Sequence, residues 1–351
     1  MNIVITGGGT GGHLAIAKAL AQEFQKNDHV LVYIGSLNGQ DREWFESSDL
    51  FEKCYFLNTL GVVNKKGPGI FKSLWKQVFA TFQACKIFKI YKIQTVFSVG
   101  GFSGGPASLG ALLCNKTLFI HEQNAIKGSL NKLLSPFAKA VFGSFTQKGK
   151  NYIKTSYPLR NEFFLKSRIR EEIKCVIFLG GSQGARAIND FAILVAKKLL
   201  SKGIKVIHQC GKIDFERVKD LYAKLDLLDQ VDLFSFDKNL VDKITQADIC
   251  VGRAGASSVW EIAANGLPAI FIPYPYAASN HQYYNALEFA QDGLGIIARQ
   301  EDGLYPEILF DFMDKLNSVD KEGIKGIAQI SKRLREKIMP NGASRIVKYI
   351  V

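Results

Sequence analysis

The feature that most limits the fold of this chain is a plan that occurs twice. Residues 2–36 read as a strand (Asn2 to Thr6), a glycine-rich turn (Gly7 to His13), a helix (Leu14 to Phe24) and a second strand (Val30 to Ser36). Residues 174–212 repeat it: Lys174 to Leu179, the turn Gly180 to Arg186, the helix Ala187 to Leu200, then a strand from Ile204. A short apolar run delivered to a glycine turn and followed by helical periodicity is a βαβ unit. Two of them in 351 residues predict an α/β chain of two Rossmann-like, doubly wound parallel-sheet domains rather than one large sheet. Ligands of open α/β sheets bind beyond the carboxyl ends of the strands, so the two domains are expected to face each other across a cleft lined by the turns.

The first turn fits neither of two familiar phosphate motifs. Gly7, Gly9 and Gly12 satisfy GxGxxG, but the second strand ends at Gly35-Ser36, where a dinucleotide site wants an acid for the ribose. A P-loop needs Gly-Lys-Ser/Thr, and here Gly12 precedes His13-Leu14. What remains is a backbone cradle at a helix start, suited to anionic oxygens or to close approach by a sugar. His13 at its lip is either a helix-start residue or a catalytic imidazole. A third turn, Gly100 to Pro106, follows a strand at Thr95 to Val99. Beyond the next strand, Thr117 to Ile120, His121-Glu122-Gln123-Asn124 is expected as a polar loop, where a buried Glu122 needs a cationic or hydroxyl partner.

The stretch Arg253 to Asn285 has the form of half a nucleotide-sugar site. A strand at Ile249 to Val251 leads into the small-residue turn Arg253-Ala254-Gly255-Ala256. Ser258 with Glu261 reads as a capping box, Gly266 and Pro268 close the helix, Ala269 to Pro273 is a strand, and His281-Gln282 falls in the next loop. Glu261 either caps the helix or accepts both hydroxyls of a ribose.

Composition narrows the class. The chain is 47% hydrophobic with 9 prolines, has no signal-peptide pattern, and no apolar run of the ~18–20 residues that a spanning helix requires. Six scattered cysteines without CxxC spacing predict free thiols in a reducing compartment, and no metal site is read. Net charge is +13, but Lys53 to Arg160 holds sixteen Lys/Arg against one acid, Glu122, a net of +15 that leaves −2 for the rest. An anionic surface or ligand met by the first half alone explains such asymmetry. A nucleic-acid partner, the reading charge alone would give, finds no helix-turn-helix, RNA-recognition or zinc pattern and is not expected.

Taken in order, GGTGGH (Gly8 to His13), the GGFSGGP turn, HEQNAIKGSLNK (His121 to Lys132), GGSQGAR (Gly180 to Arg186), HQCGK (His208 to Lys212) and RAGASSVWEIAANGLPAIFIP closely resemble the MurG family, the peptidoglycan N-acetylglucosaminyltransferases that convert lipid I to lipid II. The resemblance implies the GT-B fold, with domains at 1–157 and 158–337 and a C-terminal helix at 338–351 packing back on the first. It implies UDP-N-acetylglucosamine as donor, the undecaprenyl-pyrophosphoryl muramyl peptide as acceptor, inversion to a β-1,4 linkage, and peripheral attachment at the cytoplasmic face of the membrane. Carried onto this chain, donor contacts fall on Thr10, Gly11, Gly12, Asn124, Arg160, Ser182, the run Ala256, Ser257, Ser258, Val259, Trp260 and Glu261, and Gln282, with the uracil neighbour at Phe236 or Asp237. The chain departs from the family in lacking a short segment with a Phe-Pro pair after His13, and in having His281-Gln282 where some relatives have two glutamines. A 2-epimerase of UDP-N-acetylglucosamine is the rival that would share the donor contacts.

The expected chemistry is one in-line displacement, with His13 as the base toward the acceptor hydroxyl and Glu122 as the alternative. No Asp-x-Asp occurs, so no cofactor or protein-bound metal is expected, while assistance by solution magnesium is compatible with this reading. Membrane docking is expected on the segment Gly69 to Ile90. There Phe71, Leu74, Trp75, Val78, Phe79 and Phe82 share one helical face, flanked by Lys72 and Lys76, with Lys65, Lys66, Lys86, Lys89 and Lys92 nearby.

Overall fold

A computed structural model describes residues 1–61, 68–181 and 183–351. The chain forms two compact units, Met1–Leu159 with Pro340–Val351, and Arg160–Met339. The first holds seven parallel strands, β1 (Asn2–Thr6), β2 (Val30–Ser36), β3 (Lys53–Leu57), β4 (Thr95–Ser98), β5 (Thr117–Glu122), β6 (Ala140–Gly143) and β7 (Tyr152–Lys154), in the order β3-β2-β1-β4-β5-β6-β7. Helices cover both faces, which is why the strands are apolar on alternate sides alike. On one face Val4, Val32, Ile34, Val96, Ile120 and Val141 pack against the helices Pro68–Ile90 and Gly105–Leu113. On the other, Phe97, Phe142 and Phe119 stack, and Tyr349 of the terminal helix Gly342–Ile350 stands edge-on to Phe142 and Phe119.

The helix Pro68–Ile90 inverts the usual burial. Ser73, Ala80, Thr81, Ala84, Ile87 and Phe88 are its buried stripe, and small residues there let it approach Gly110, where an added Cβ would lie 3.2 Å from Phe88. Gln77 on the same stripe donates through Nε2 to the carbonyls of Leu60 (2.9 Å) and Phe102 (3.3 Å). The aromatic stripe faces out: Phe71 is 77% exposed and Trp75 75%, with Leu74, Val78, Phe79 and Phe82 also exposed. Among the described residues no helix is long and apolar enough to cross a membrane.

The second unit holds six parallel strands, β8 (Cys175–Leu179), β9 (Lys205–Gln209), β10 (Val231–Phe234), β11 (Ile249–Gly252), β12 (Ala269–Phe271) and β13 (Gly295–Ile297), in the order β10-β9-β8-β11-β12-β13. Its turn after β8 sits against the end of β9 so closely that only glycine fits. A Cβ on Gly184 (φ +88°) would lie 2.5 Å from the Cys210 carbonyl, and one on Gly211 2.1 Å from the Gly184 nitrogen. The fully buried Arg170 donates to the carbonyls of Ala247 and Asn265 and to Asn265 Oδ1. It thereby anchors the last turn of the helix Ala256–Asn265.

Three local expectations need correction. β5 continues through Glu122, so His121 and Glu122 lie on a strand and not in a loop. The helix after β11 begins at Ala256 with Gly255 as its extended N-cap and no side-chain cap, because the small residues at 254–256 let the helix start early; Ser258 and Glu261 form no capping box. His281-Gln282 opens the helix His281–Gln291, after Ser279 and Asn280 both turn through positive φ.

Candidate active site

At the carboxyl ends of β8, β9 and β11 the second unit encloses a cavity of about 220 Å³. Its walls include Gln209, Phe236, Asp237, Arg253, Ser258 and Glu261. Both residues considered as uracil neighbours therefore line it. An adjoining hollow of about 390 Å³ is lined by Gly184, Arg186, Arg253, Tyr274, Gln282 and Gln300, so Arg253 borders both. Sequence reasoning placed Arg253 in the turn but gave it no role. Its Nη1 donates to the carbonyls of Ile272 (3.1 Å) and Pro273 (3.0 Å), and its guanidinium lies 5.4 Å from the Tyr274 ring centre. Burial lowers its pKa from the usual arginine value.

Glu261 makes no hydrogen bond among the described residues, and burial pushes its pKa up to about 7, opposed by the positive charge of Arg160. A carboxylate left unsatisfied in a cavity wall is poised for a ligand with adjacent hydroxyls. Arg160 itself is half-exposed, pairs with Glu162 (3.3 Å) and lies 5.2 Å from the Phe163 ring centre. Gln282 accepts the Tyr274 N–H through Oε1 (2.9 Å), which orients its amide so that Nε2 is the donating end. The His281 ring reaches back to the Ala278 carbonyl (2.8 Å), a local role in closing the turn.

The run 256–261 does not act as one surface. Ala256, Val259 and Trp260 are buried in the core, Trp260 against Phe289 at 5.1 Å, while Ser258 and Glu261 face the cavity and Ser257 is half-buried. A helix turns every 3.6 residues, so a contiguous run cannot present all its side chains to one ligand. Ser182 lies outside the described residues.

In the first unit the helix Gly11–Phe24 starts directly at the turn, and His13 stands in its first turn. Thr10 Oγ1 and His13 Nδ1 are 2.9 Å apart, and Gln123 Nε2 lies 3.5 Å from the same nitrogen. Thr10, expected to touch the donor, thus has its hydroxyl engaged with the histidine. A Cβ on Gly100 would come 3.4 Å from His13 Nε2 and 3.2 Å from Asn131 Nδ2, so the third glycine turn admits both side chains. Glu122 finds amides, not the cation or hydroxyl expected. Oε1 accepts the Asn124 N–H (3.0 Å), and Oε2 accepts the Gly128 N–H (3.0 Å) and Asn131 Nδ2 (2.8 Å). Burial raises its pKa against the lowering by these bonds. With both oxygens so used, Glu122 shapes the loop carrying Asn124. Next to it, buried His121 has a pKa lowered to about 3 by burial and then by His13, which keeps it neutral. Among the described residues no three His, Cys, Asp or Glu converge as a metal site.

Known proteins match this chain over nearly its whole length. Residues 3–143 match the glycosyltransferase family 28 N-terminal domain and residues 175–339 the family 28 C-terminal domain. The chain is 56% identical, over 99% of its length and 97% of the other, to the UDP-N-acetylglucosamine–N-acetylmuramyl-(pentapeptide) pyrophosphoryl-undecaprenol N-acetylglucosamine transferase of Helicobacter hepaticus. The crystal structure of Acinetobacter baumannii MurG superposes with a TM-score of 0.79 at 26% identity, covering 99% of both chains. A UDP-GlcNAc 2-epimerase from Neisseria meningitidis covers 100% of this chain and 99% of its own with a TM-score of 0.68, but at 12% identity it shares the fold alone. Matched in both domains and 56% identical over 99% of its length to one such transferase, the chain belongs to glycosyltransferase family 28, in the MurG branch.

Proposed function

We propose that the protein is an inverting glycosyltransferase that moves N-acetylglucosamine from UDP-N-acetylglucosamine to the C4 hydroxyl of the muramyl sugar of lipid I, giving lipid II for peptidoglycan. The observation that carries this reading is the second unit's cavity, with one unsatisfied carboxylate, Glu261, and one arginine, Arg253, in a chain 56% identical to such a transferase. Glu261 accepts the ribose hydroxyls, Phe236 and Asp237 flank the base, and Gln282 donates to the sugar. As the bond to the anomeric carbon breaks, negative charge grows on UDP, and Arg253, Arg186 and the amides of the Gly180–Gly184 turn meet it, with no resident metal in the scheme. His13 removes the acceptor proton. Thr10 engages Nδ1, so Nε2 is the nitrogen left for the acceptor proton, and the proposal requires the tautomer with its lone pair there. Incubation with labelled UDP-N-acetylglucosamine and a lipid I analogue tests the whole reading: transfer of the sugar supports it, and conversion of the donor to its C2 epimer, UDP-N-acetylmannosamine, without transfer assigns the epimerase chemistry instead.

The acceptor's polyprenyl tail requires a docking surface, and the outward aromatic stripe of the helix Pro68–Ile90 supports peripheral attachment at the cytoplasmic membrane face. Lys72 is exposed beside it, and Lys76 donates to Asn58 Oδ1 at 2.9 Å. Lysines near an anionic leaflet contribute about 1 kcal/mol each, and buried aromatic surface adds to that. Lys65 and Lys66 lie outside the described residues. Sedimentation with vesicles containing anionic lipid is expected to show binding that weakens with salt and falls at least several-fold in Trp75→Ser/Phe79→Ser. Unchanged binding by that variant would move the docking surface elsewhere.

A further inference from the structure

Asp41 is an acid to which neither the resemblance nor the proposed chemistry gives a part, yet it is completely buried beside the first glycine turn. Its Oδ2 accepts the Gly9 N–H at 2.7 Å. Its Oδ1 accepts the Ser36 N–H and the Tyr33 hydroxyl, each at 3.1 Å. The Tyr33 hydroxyl also lies 2.9 Å from the Gly7 carbonyl, which ties the start of the turn to the same group. No basic side chain pairs with the carboxylate among the described residues. Three glycines, in the first turn, at the end of β2 and in the connection after it, make room for it. A Cβ on Gly8 or Gly35 would sit 2.7 Å from Oδ1, and one on Gly39 3.0 Å from Oδ2. In a Rossmann-type turn the amides at this place are the ones that ordinarily meet a ligand phosphate. Here an internal carboxylate occupies one of them.

We infer that Asp41 is a positioning residue for His13: it serves as the first turn's own anion, fixing Gly7 to Thr10 so that Thr10 holds the imidazole ring through Nδ1. This rests on the proposed role of His13 as base. The path is short and covalent. Gly9, held by Asp41, is followed directly by Thr10, whose hydroxyl contacts His13 one helical turn on. A turn free to relax lets the imidazole swing from the acceptor hydroxyl, and misplacement by about 1 Å costs on the order of 100-fold in rate. The proposed donor contacts of Glu261, Arg253 and Gln282 lie in the other unit, so donor affinity is expected to change far less than turnover.

The experiment is a double-mutant cycle in the full-length protein, with turnover of a lipid I analogue and UDP-N-acetylglucosamine binding both measured. Asp41→Asn keeps the size but turns an amide donor toward the Gly9 or Ser36 N–H. It is expected to lower kcat about 10-fold or more with the donor Kd within about two-fold. In a His13→Ala background the same substitution is expected to cost nothing further, because the group it positions is gone. Losses that multiply in the double variant would overturn the inference, as would an Asp41→Asn enzyme with unaltered kcat. If His13→Ala alone leaves kcat unchanged, the base assignment fails, and the positioning role with it. Should Asp41→Asn not fold, Tyr33→Phe removes one of the carboxylate's donors at constant shape and replaces it in the same cycle, with a smaller loss of kcat expected, and with a multiplied loss overturning the inference.

Discussion

The two Rossmann-like turns begin from the same sequence plan and end as opposite devices. The turn after β1 is closed by Asp41 and carries an imidazole in the first turn of its helix. Among the described residues no carboxylate hydrogen-bonds the backbone of the turn after β8, and that turn borders a hollow whose charged walls are Arg186 and Arg253. A glycine turn at a helix start offers amides to an anion. Supplying the anion from the protein converts the turn into a rigid mount for a side chain. Leaving it open, with cations alongside, suits it to the diphosphate of the proposed donor. A βαβ repeat thus constrains the backbone, while one buried acid or two arginines decide what each copy does.

The sharpest way to break this division of labour is His13→Ala. If the first turn is a mount for the base, kcat falls by about 10² to 10⁴ while UDP-N-acetylglucosamine binding, measured by calorimetry, stays as it was. A change confined to the donor Kd would mean that the first turn is a ligand cradle after all. Arg253→Met should do the reverse. It keeps most of the packing on Tyr274 but removes the charge, and a hydrogen bond to a charged group contributes ~1.5–3 kcal/mol. The donor Kd is therefore expected to rise about 10- to 100-fold. An unchanged Kd would show that Arg253 only ties the loop at Ile272 and Pro273.

Much of this contrast was legible in the sequence, because strand runs, glycine turns and helix periodicity are local signals. The parallel sheets followed from them. Asp41 was not legible, since its partner Gly9 is 32 positions away and the surrounding Gln-Asp-Arg-Glu reads as an ordinary helix start. The signal that could have found it is the set of glycines at 8, 35 and 39, each of which leaves space for the same carboxylate. The register of the helix at Ala256 was misread for a different reason. Ser258, three residues before Glu261, looks like a cap, and only the backbone of Gly255 shows where the helix begins. For the helix Pro68–Ile90, periodicity gives a stripe but not its direction. What decides the direction is the opposite stripe, whose Ser73, Ala80, Thr81 and Ala84 are small enough to pack against the glycine-bearing neighbour.

The finest test of the comparison is protonic and belongs to the second unit. Burial holds the Glu261 pKa at about 7, above its ordinary carboxylate value, so ionisation of this group in the folded protein is unfavourable. The stability it contributes is present at low pH and is lost as pH rises through about 7, and Glu261→Gln should raise Tm at pH 8 relative to the parent. Ligand binding runs the other way. A ribose diol donates to the carboxylate and not to the acid, so the donor favours the ionised form and binding releases a proton near neutral pH. From pH 8 to pH 6 the ionised share falls from about nine-tenths to about one-tenth, and the Kd for UDP-N-acetylglucosamine should rise by up to about 10-fold. The sugar nucleotide is the correct probe because neither its diphosphate nor its uracil titrates in that range, whereas free UDP adds a phosphate proton of its own. Calorimetry in two buffers of different ionisation enthalpy reads the proton directly. Glu261→Gln should bind about 10-fold more weakly at pH 8 and lose both the pH dependence and the proton release. A parent protein whose donor affinity is flat from pH 6 to pH 8 would take Glu261 away from the ribose and leave the cavity's carboxylate without a ligand.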